Sequence, residues 1–265
     1  MAQEDIWAAG DRYEPYVGRW SRLIARKFLD ALALPAGIDW LDVGCGTGAL
    51  TRTIVEHAAP RTVCGVDRSP EFVAHARARV ADARVSFDVG DAQALPVADA
   101  SVDVAVSGLV INFVAQPDAA LREMKRAVRA HGTVAVYVWD YAEGMQLMRR
   151  FWDAAAVLDR AAREQDEAVR FPLCRPEPLR RLFAEASLRD VDVASIDVAT
   201  TFRDFDDYWS PFLGGQGPAP GYAMSLDDAR RTALRERLRS DLPIERDGSI
   251  RLTARAWSAR GKKYC

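Results

Sequence analysis

The chain has four cysteines, Cys45, Cys64, Cys174 and Cys265, and no two of them stand at Cys-x-x-Cys spacing. That excludes zinc ribbons and dithiol redox motifs, and four cysteines in so long a chain do not make a disulfide framework. No metal is expected. Charge of one sign is also missing, since 36 basic residues face 38 acidic ones. Such a balance leaves no electrostatic footprint for nucleic acid or an anionic membrane. No run reaches the roughly 18 apolar residues that a membrane-spanning helix requires. The opening MAQEDIWAAGDRYEPYVGRW lacks the basic flank and apolar stretch of a signal peptide. A cytoplasmic protein with neither membrane nor nucleic-acid partner is expected, and nothing in the sequence sets its oligomeric state.

What is present is a globular composition, 49% hydrophobic and 28% charged, enough for a substantial core. Residues 19–34 carry Trp20, Leu23, Ile24, Phe28 and Leu32 at helical spacing, which predicts an amphipathic helix closed by Pro35 and Gly37. An alternation follows. Strand-like runs at 38–43, 61–67, 84–90, 102–107 and 132–140 are separated by helical stretches at 49–58, 69–80 and 117–129. Strands and helices in that order predict βαβ units, hence a doubly wound, Rossmann-like α/β sheet. Helices are expected at about 145–168 and 176–186, then alternating strands at 188–202 and 249–259 that pair antiparallel at one sheet edge. The expectation is a single domain over 1–265 with about seven strands. Residues 1–37 form an N-terminal segment, 38–140 the core, and 203–247 a helical, lid-like insertion containing the connector GGQGPAPG.

The densest signal is WLDVGCGTGAL at 40–50. Glycines this close mark backbone that turns tightly or approaches a ligand. A phosphate-binding P-loop ends in Gly-Lys-Ser/Thr, whereas Gly48 is followed by Ala49 and Leu50, so a nucleoside triphosphatase is excluded. Gly44, Gly46 and Ala49 satisfy G-x-G-x-x-A, and Asp67 lies about 20 residues on, where a ribose-binding acid belongs. On these residues alone an NAD(P)-dependent oxidoreductase stays open. The tighter description is D-x-G-x-G-x-G over Asp42, Gly44, Gly46 and Gly48.

Four stretches in order, LDVGCGTGAL, GVDRSPEFVAHAR, GDAQALPVADASVDVAVSGLVINFV and ALREMKRAVRAHGTVAVYVWD, resemble the class I S-adenosylmethionine-dependent methyltransferases. The likeness is to the small-molecule group similar to the ubiquinone/menaquinone C-methyltransferases. It implies S-adenosyl-L-methionine as cofactor, held by Asp42, Gly44, Gly46 and Gly48. It also implies Asp67 on the ribose hydroxyls with Arg68 beside it, Asp91 and the Ala92 backbone on adenine, and Leu109 packed on the adenosine. The family's N-terminal segment closes over the cofactor, which nominates Tyr16, Arg19 and Trp20, with Arg19 toward the methionine carboxylate. No tyrosine is followed four residues later by lysine, so the proton-donor pair of short-chain reductases is absent. A binding protein for the same cofactor without catalysis would carry identical motifs.

Methyl transfer expels a neutral thioether and needs no acid, so alignment is the main task. His57 and His131 fall at the amino-terminal edge of the sheet and His75 within a helix, so none is expected to act. Catalytic candidates at carboxyl ends of strands are Asn112, Asp140 and Tyr141. The Asn/Asp-Pro-Pro-Tyr/Phe motif of amino methylases acting on DNA bases and glutamine is replaced by SGLVINF. Trp139, Tyr141, Tyr208, Trp209 and Phe212, among other late aromatics, are expected to line a pocket for a small apolar or aromatic methyl acceptor.

Overall fold

The computed structural model describes residues 18–215 and 217–264. In chain order its elements are α1 (Arg19–Leu32), β1 (Asp39–Val43), α2 (Ala49–His57), β2 (Thr62–Asp67), α3 (Pro70–Arg79), β3 (Val85–Val89), β4 (Val102–Gly108) and α4 (Pro117–Ala127). Then follow β5 (Val128–Trp139), α5 (Gln146–Leu158), α6 (Glu167–Arg170), α7 (Pro176–Glu185) and β6 (Arg189–Phe202). The last are α8 (Phe205–Trp209), α9 (Pro218–Ser225), α10 (Asp228–Asp241) and β7 (Ile250–Lys262).

The strands form one sheet in the order β3-β2-β1-β4-β5-β7-β6. β1 to β5 pair in parallel. β1 is buried along its whole length, as a central strand covered on both faces must be. β7 runs against β5: Lys263 exchanges backbone bonds with His131 and Gly132, while Arg255 accepts from Asp140. The expected Rossmann-like sheet with an antiparallel edge is therefore the observed one. Its strand order reverses between β1 and β4, and ligands of such sheets bind at the carboxyl ends beside that point.

Local chemistry explains where the elements depart from expectation. Leu23 is 46% exposed, because the buried stripe runs through Trp20, Ile24, Phe28 and Leu32 and leaves position 23 on the side of Arg26 and Lys27. β5 begins at Val128, four residues early, through a bulge: Val102 pairs with Val128 but Val104 with Thr133. Gly132 makes the bulge possible, since a Cβ there would lie 2.8 Å from the carbonyl oxygens of Arg129 and Asp103. The long helix expected over 145–168 stops at Leu158. Asp159 and Asp166 each accept from a backbone N–H two residues on and start new short turns, as aspartate does at helix starts. The PAPG of the expected connector is helical, with Pro218 at the first turn of α9, a place where proline's missing N–H costs nothing.

The chain divides into two compact units. One holds, among the described residues, Arg22–Val138, Leu173–Ile196 and 256–264. At the amino-terminal edge of its sheet Asp39 accepts from Arg61, Thr62 and Arg129, and the Arg61 guanidinium holds its carboxyl far below the usual carboxylate range. The other unit comprises, among the described residues, 18–21, Trp139–Pro172, 197–215 and 217–255. Its core is aromatic: Phe151 stacks on Phe212 with centroids 4.5 Å apart, and Trp152, Tyr208 and Phe202 are buried around them. Such pairs add to plain area burial.

Candidate cofactor-binding site

Beyond β1 the backbone enters the left-handed region three times, at Gly44 (φ 75°), Gly46 (φ 52°) and Gly48 (φ 85°), where any side chain is strained. The three glycines nevertheless differ. A Cβ on Gly44 would lie 2.4 Å from Val110 Cγ1, and one on Gly48 would lie 3.0 Å from Val80 Cγ2. Both let other parts of the unit pack close. At Gly46 nothing lies within 4 Å of the missing Cβ. The side of Gly46 where a Cβ would stand is therefore open.

Acidic groups surround it. Asp67, at the end of β2, accepts from the Gly46 N–H through Oδ2 and from the Ser69 N–H through Oδ1, both at 2.9 Å. Among the described residues each oxygen thus accepts one of these bonds and has a further lone pair. Asp42 is 1% exposed, and its Oδ2 accepts from the Thr51 hydroxyl at 2.6 Å. Its Oδ1 has no partner among the described residues. Burial pushes the Asp42 carboxyl up to about 7, and the Asp67 charge adds to the rise.

After β3 the exposed Asp91 accepts from the backbone and side-chain amides of Gln93 at 2.8 and 3.2 Å. The Gln93 backbone bond, with its side-chain bond and the Arg68 charge, lowers the Asp91 pKa. Gln93 Oε1 in turn accepts from Gln116 N at 3.0 Å, just ahead of α4. The same loop is tied to α4 twice more. Leu95 N donates to Glu123 at 2.9 Å, and Arg126 donates to the carbonyls of Val97 and Leu95 at 2.8 and 3.1 Å. After β4, Leu109 takes a positive φ of 61° and donates its N–H to the Tyr137 carbonyl. Val110 follows against Gly44, and Asn112 lies in a short 3-10 turn with its side-chain N–H buried and unpartnered among the described residues.

Asp42, Gly44, Gly46, Gly48, Asp67, Arg68, Asp91, Ala92, Leu109 and Asn112 thus all belong to one unit and to carboxyl ends of β1 to β4. Arg19 and Trp20 belong to the other unit, where Arg19 pairs with Asp207 at 3.2 Å. Tyr16 lies outside the described residues. Asp140 accepts from the N–H groups of Glu143 and Gly144, one on each oxygen. Tyr141 is 6% exposed beside Phe171. Trp139, Tyr208, Trp209 and Phe212 are buried too, with the Tyr208 hydroxyl donating to the Leu147 carbonyl. Among the described residues no group of three His, Cys, Asp or Glu side chains is placed to hold a metal. Sequence reading passed over Thr51, Gln93 and Val110. A hydroxyl three residues past the last loop glycine and an amide two past Asp91 were the available signals; Val110 had none.

The donor set fits an adenosyl amino acid: an open glycine cradle for close backbone approach, with acceptor carboxylates at the ends of β2 and β3. Comparison with known proteins agrees. Residues 41–136 match the methyltransferase domain family. The chain is 31% identical over 142 residues to malonyl-[acyl-carrier protein] O-methyltransferase of Pectobacterium atrosepticum, covering 49% of this chain and 54% of that protein. It is 39% identical over 111 residues to the ubiquinone/menaquinone biosynthesis C-methyltransferase of Rubrivivax gelatinosus, covering 42% of this chain and 43% of that one. The matches therefore span about half the length of these curated relatives. Among solved structures, the YcgJ protein of Bacillus subtilis aligns over 91% of this chain and 98% of its own, with TM-score 0.59 and 17% identity. The Haemonchus contortus phosphoethanolamine N-methyltransferase 2, in complex with S-adenosyl-L-methionine, aligns over 92% of this chain and 52% of its own, with TM-score 0.56 and 19% identity. The chain carries a class I S-adenosylmethionine-dependent methyltransferase domain, with S-adenosylmethionine as its cofactor.

Proposed function

We propose that the chain is an enzyme that moves the methyl group of S-adenosylmethionine to a small, apolar or aromatic molecule in the cytoplasm. The observation that carries this reading is the open side of Gly46, bounded by the Asp67 carboxylate bonded to its N–H. Bound there, the cofactor supplies a methyl group on a sulfonium that departs as a neutral thioether. The chain's own part is binding and alignment, which lowers the barrier by several kcal/mol. The Asp67 carboxylate has lone pairs for the ribose hydroxyls, and Asp91 with Ala92 lies where the adenine edge is read. Asp42 Oδ1, buried without a partner among the described residues, is an acceptor for the amino group of the methionine part.

Of the three catalytic candidates, Asp140 has both oxygens engaged by backbone N–H groups and Tyr141 is in the aromatic core. Asn112 keeps a side-chain donor without a partner among the described residues, suited to an oxygen of the acceptor. Residues 203–247 are proposed to supply acceptor contacts as a lid. Their helices pack on Phe205, Tyr208, Trp209 and Phe212, so the apolar surface that an acceptor would meet belongs to a built core.

Titration calorimetry with S-adenosylmethionine, S-adenosylhomocysteine and NAD, followed by transfer of a labelled methyl group into a metabolite extract, tests the reading. Binding of the first two with labelled product is the expected result. Tighter binding of NAD would overturn it, and cofactor binding without any transfer would make the chain a non-catalytic binder.

A further inference from the structure

A side-chain amide has a donor end and an acceptor end, and its neighbours decide which way it points. At Gln93 both ends are decided. The backbone N–H of Gln116 can only donate, and it lies 3.0 Å from Oε1. Nε2 therefore faces the Asp91 carboxylate, an acceptor, at 3.2 Å from Oδ1 and 3.3 Å from Oδ2. One amide thus joins the start of α4 to the carboxylate after β3.

The backbone around Asp91 is held independently of that amide. The Gly90 N–H donates to the Asp67 carbonyl and the Ala94 N–H to the Asp91 carbonyl, both at 3.0 Å. The Gln93 N–H holds Oδ1 at 2.8 Å, in the local turn that aspartate favours. That single bond leaves the carboxylate able to swing about the held oxygen, and Asp91 is exposed to water. The Gln93 amide reaches both oxygens at once and removes this freedom. Its loop is in turn fixed on α4 through Glu123 and Arg126.

The two oxygens are not equivalent. Among the described residues Oδ1 accepts twice, from the Gln93 backbone and side chain, and Oδ2 once, over the longest of the three distances. A carboxylate oxygen has about two lone-pair sites, so Oδ2 is the one with capacity for another donor. An ionised acceptor in a fixed orientation selects a ligand N–H.

We propose that Gln93 is a positioning residue for cofactor recognition: its amide holds the Asp91 carboxylate so that Oδ2 takes the exocyclic amino group of adenine. Gln93 acts through Asp91 and makes the site selective for that amino group. This rests on the methyltransferase reading and on Asp91 as the acceptor for adenine.

The test compares two ligands on the full chain by calorimetry: S-adenosylhomocysteine, and its purine analogue with hydrogen in place of the exocyclic amino group. Ribose and amino acid are the same in both, so the ratio of affinities isolates the amino group. The native chain is expected to prefer S-adenosylhomocysteine by at least about tenfold, the scale of a hydrogen bond to a charged acceptor. D91A should bind the two about equally. Q93M, of similar length but with neither donor nor acceptor, should bring the ratio below about threefold, because the loose carboxylate must then be ordered by the ligand. Q93E keeps an acceptor for the Gln116 N–H but offers Asp91 no donor, and should lower the ratio as far.

No binding of S-adenosylhomocysteine to the native chain would overturn the methyltransferase reading and this role with it. Equal affinities on the native chain would overturn the role alone, since the amino group is then not read. A native ratio surviving in D91A or in Q93M would overturn it too, even with both affinities lowered, because a loop merely loosened weakens the two ligands alike. Should Q93M fail to fold, Q93E decides by the same ratio.

Discussion

The Gly46 N–H donates to the Asp67 carboxylate at 2.9 Å, joining the loop after β1 to the end of β2. One side chain thus shapes the glycine loop and offers its remaining lone pairs to whatever the loop holds. Asp67→Asn is expected to weaken S-adenosylhomocysteine binding by about 1.5–3 kcal/mol, the scale of a hydrogen bond to a charged group. Calorimetry checks it, and unchanged affinity would remove Asp67 from the site.

Gly44 and Gly46 share a left-handed backbone but not their surroundings. Gly46→Ala should cost roughly 1–2 kcal/mol of stability, the strain of a side chain at positive φ, and abolish cofactor binding by filling the cradle. Gly44→Ala adds a collision with Val110, so it should lower the melting temperature further than Gly46→Ala. A thermal melt and a titration on each variant separate the two effects. Equal melting temperatures would contradict the geometry.

Glu167 is 1% exposed, and burial pushes its carboxyl up to about 7. The Trp152 indole N–H donates to Oε2, while Oε1 has no partner among the described residues. With the folded-state pKa above the unfolded one, the native chain holds a proton that the unfolded chain releases. The stability this group contributes is full below its unfolded pKa, declines as pH rises, and is lost above about 7. Glu167→Gln keeps an acceptor for the indole and cannot ionise. It should therefore match the native chain near pH 4.5 and exceed it at pH 8 by on the order of 3 kcal/mol. Asp42, raised by the same cause, leaves a residual slope in both. Urea unfolding across that range reads the difference, and parallel curves would refute it.

His57 closes α2, and His131 donates its backbone N–H to Lys263 at the amino-terminal edge of β5. Both lie at the opposite end of the strands from the glycine loop. Alanine at either position should leave the rate of methyl transfer nearly intact. A loss above about 100-fold in a folded variant, the lower reach of general acid–base catalysis, would place a catalytic proton at the wrong edge of the sheet.

The alternation of strands and helices and the glycine loop were legible because both are written in neighbouring residues: buried parallel strands as continuous apolar runs, the turn as closely spaced glycines. What was not legible depends on residues far apart. That Gly44 serves packing while Gly46 stays open follows from Val110, distant in the chain. The late aromatics read alike as pocket lining or as core, since composition is the same for both. Only the stacking of Phe151 on Phe212 and the hydrogen bond from Tyr208 to Leu147 place them in a core. The division of the 145–168 helix was written locally, in Asp159 and Asp166, but apolar periodicity continued across them and masked it.

The three side-chain ties from α4 to the loop after β3, made through Gln93, Glu123 and Arg126, have a kinetic meaning. A loop of this kind ordinarily frays alone, its amides exchanging with solvent through small local openings. Here the amide of Leu95 is held by a helix carboxylate and the amide of Gln116 by a loop side chain, so neither element can expose its own donor without releasing the other. Loop and helix should then form one cooperative opening unit. In native-state hydrogen exchange, the Leu95 and Gln116 amides are expected to share a single opening free energy, and Gln93→Ala should split it into two.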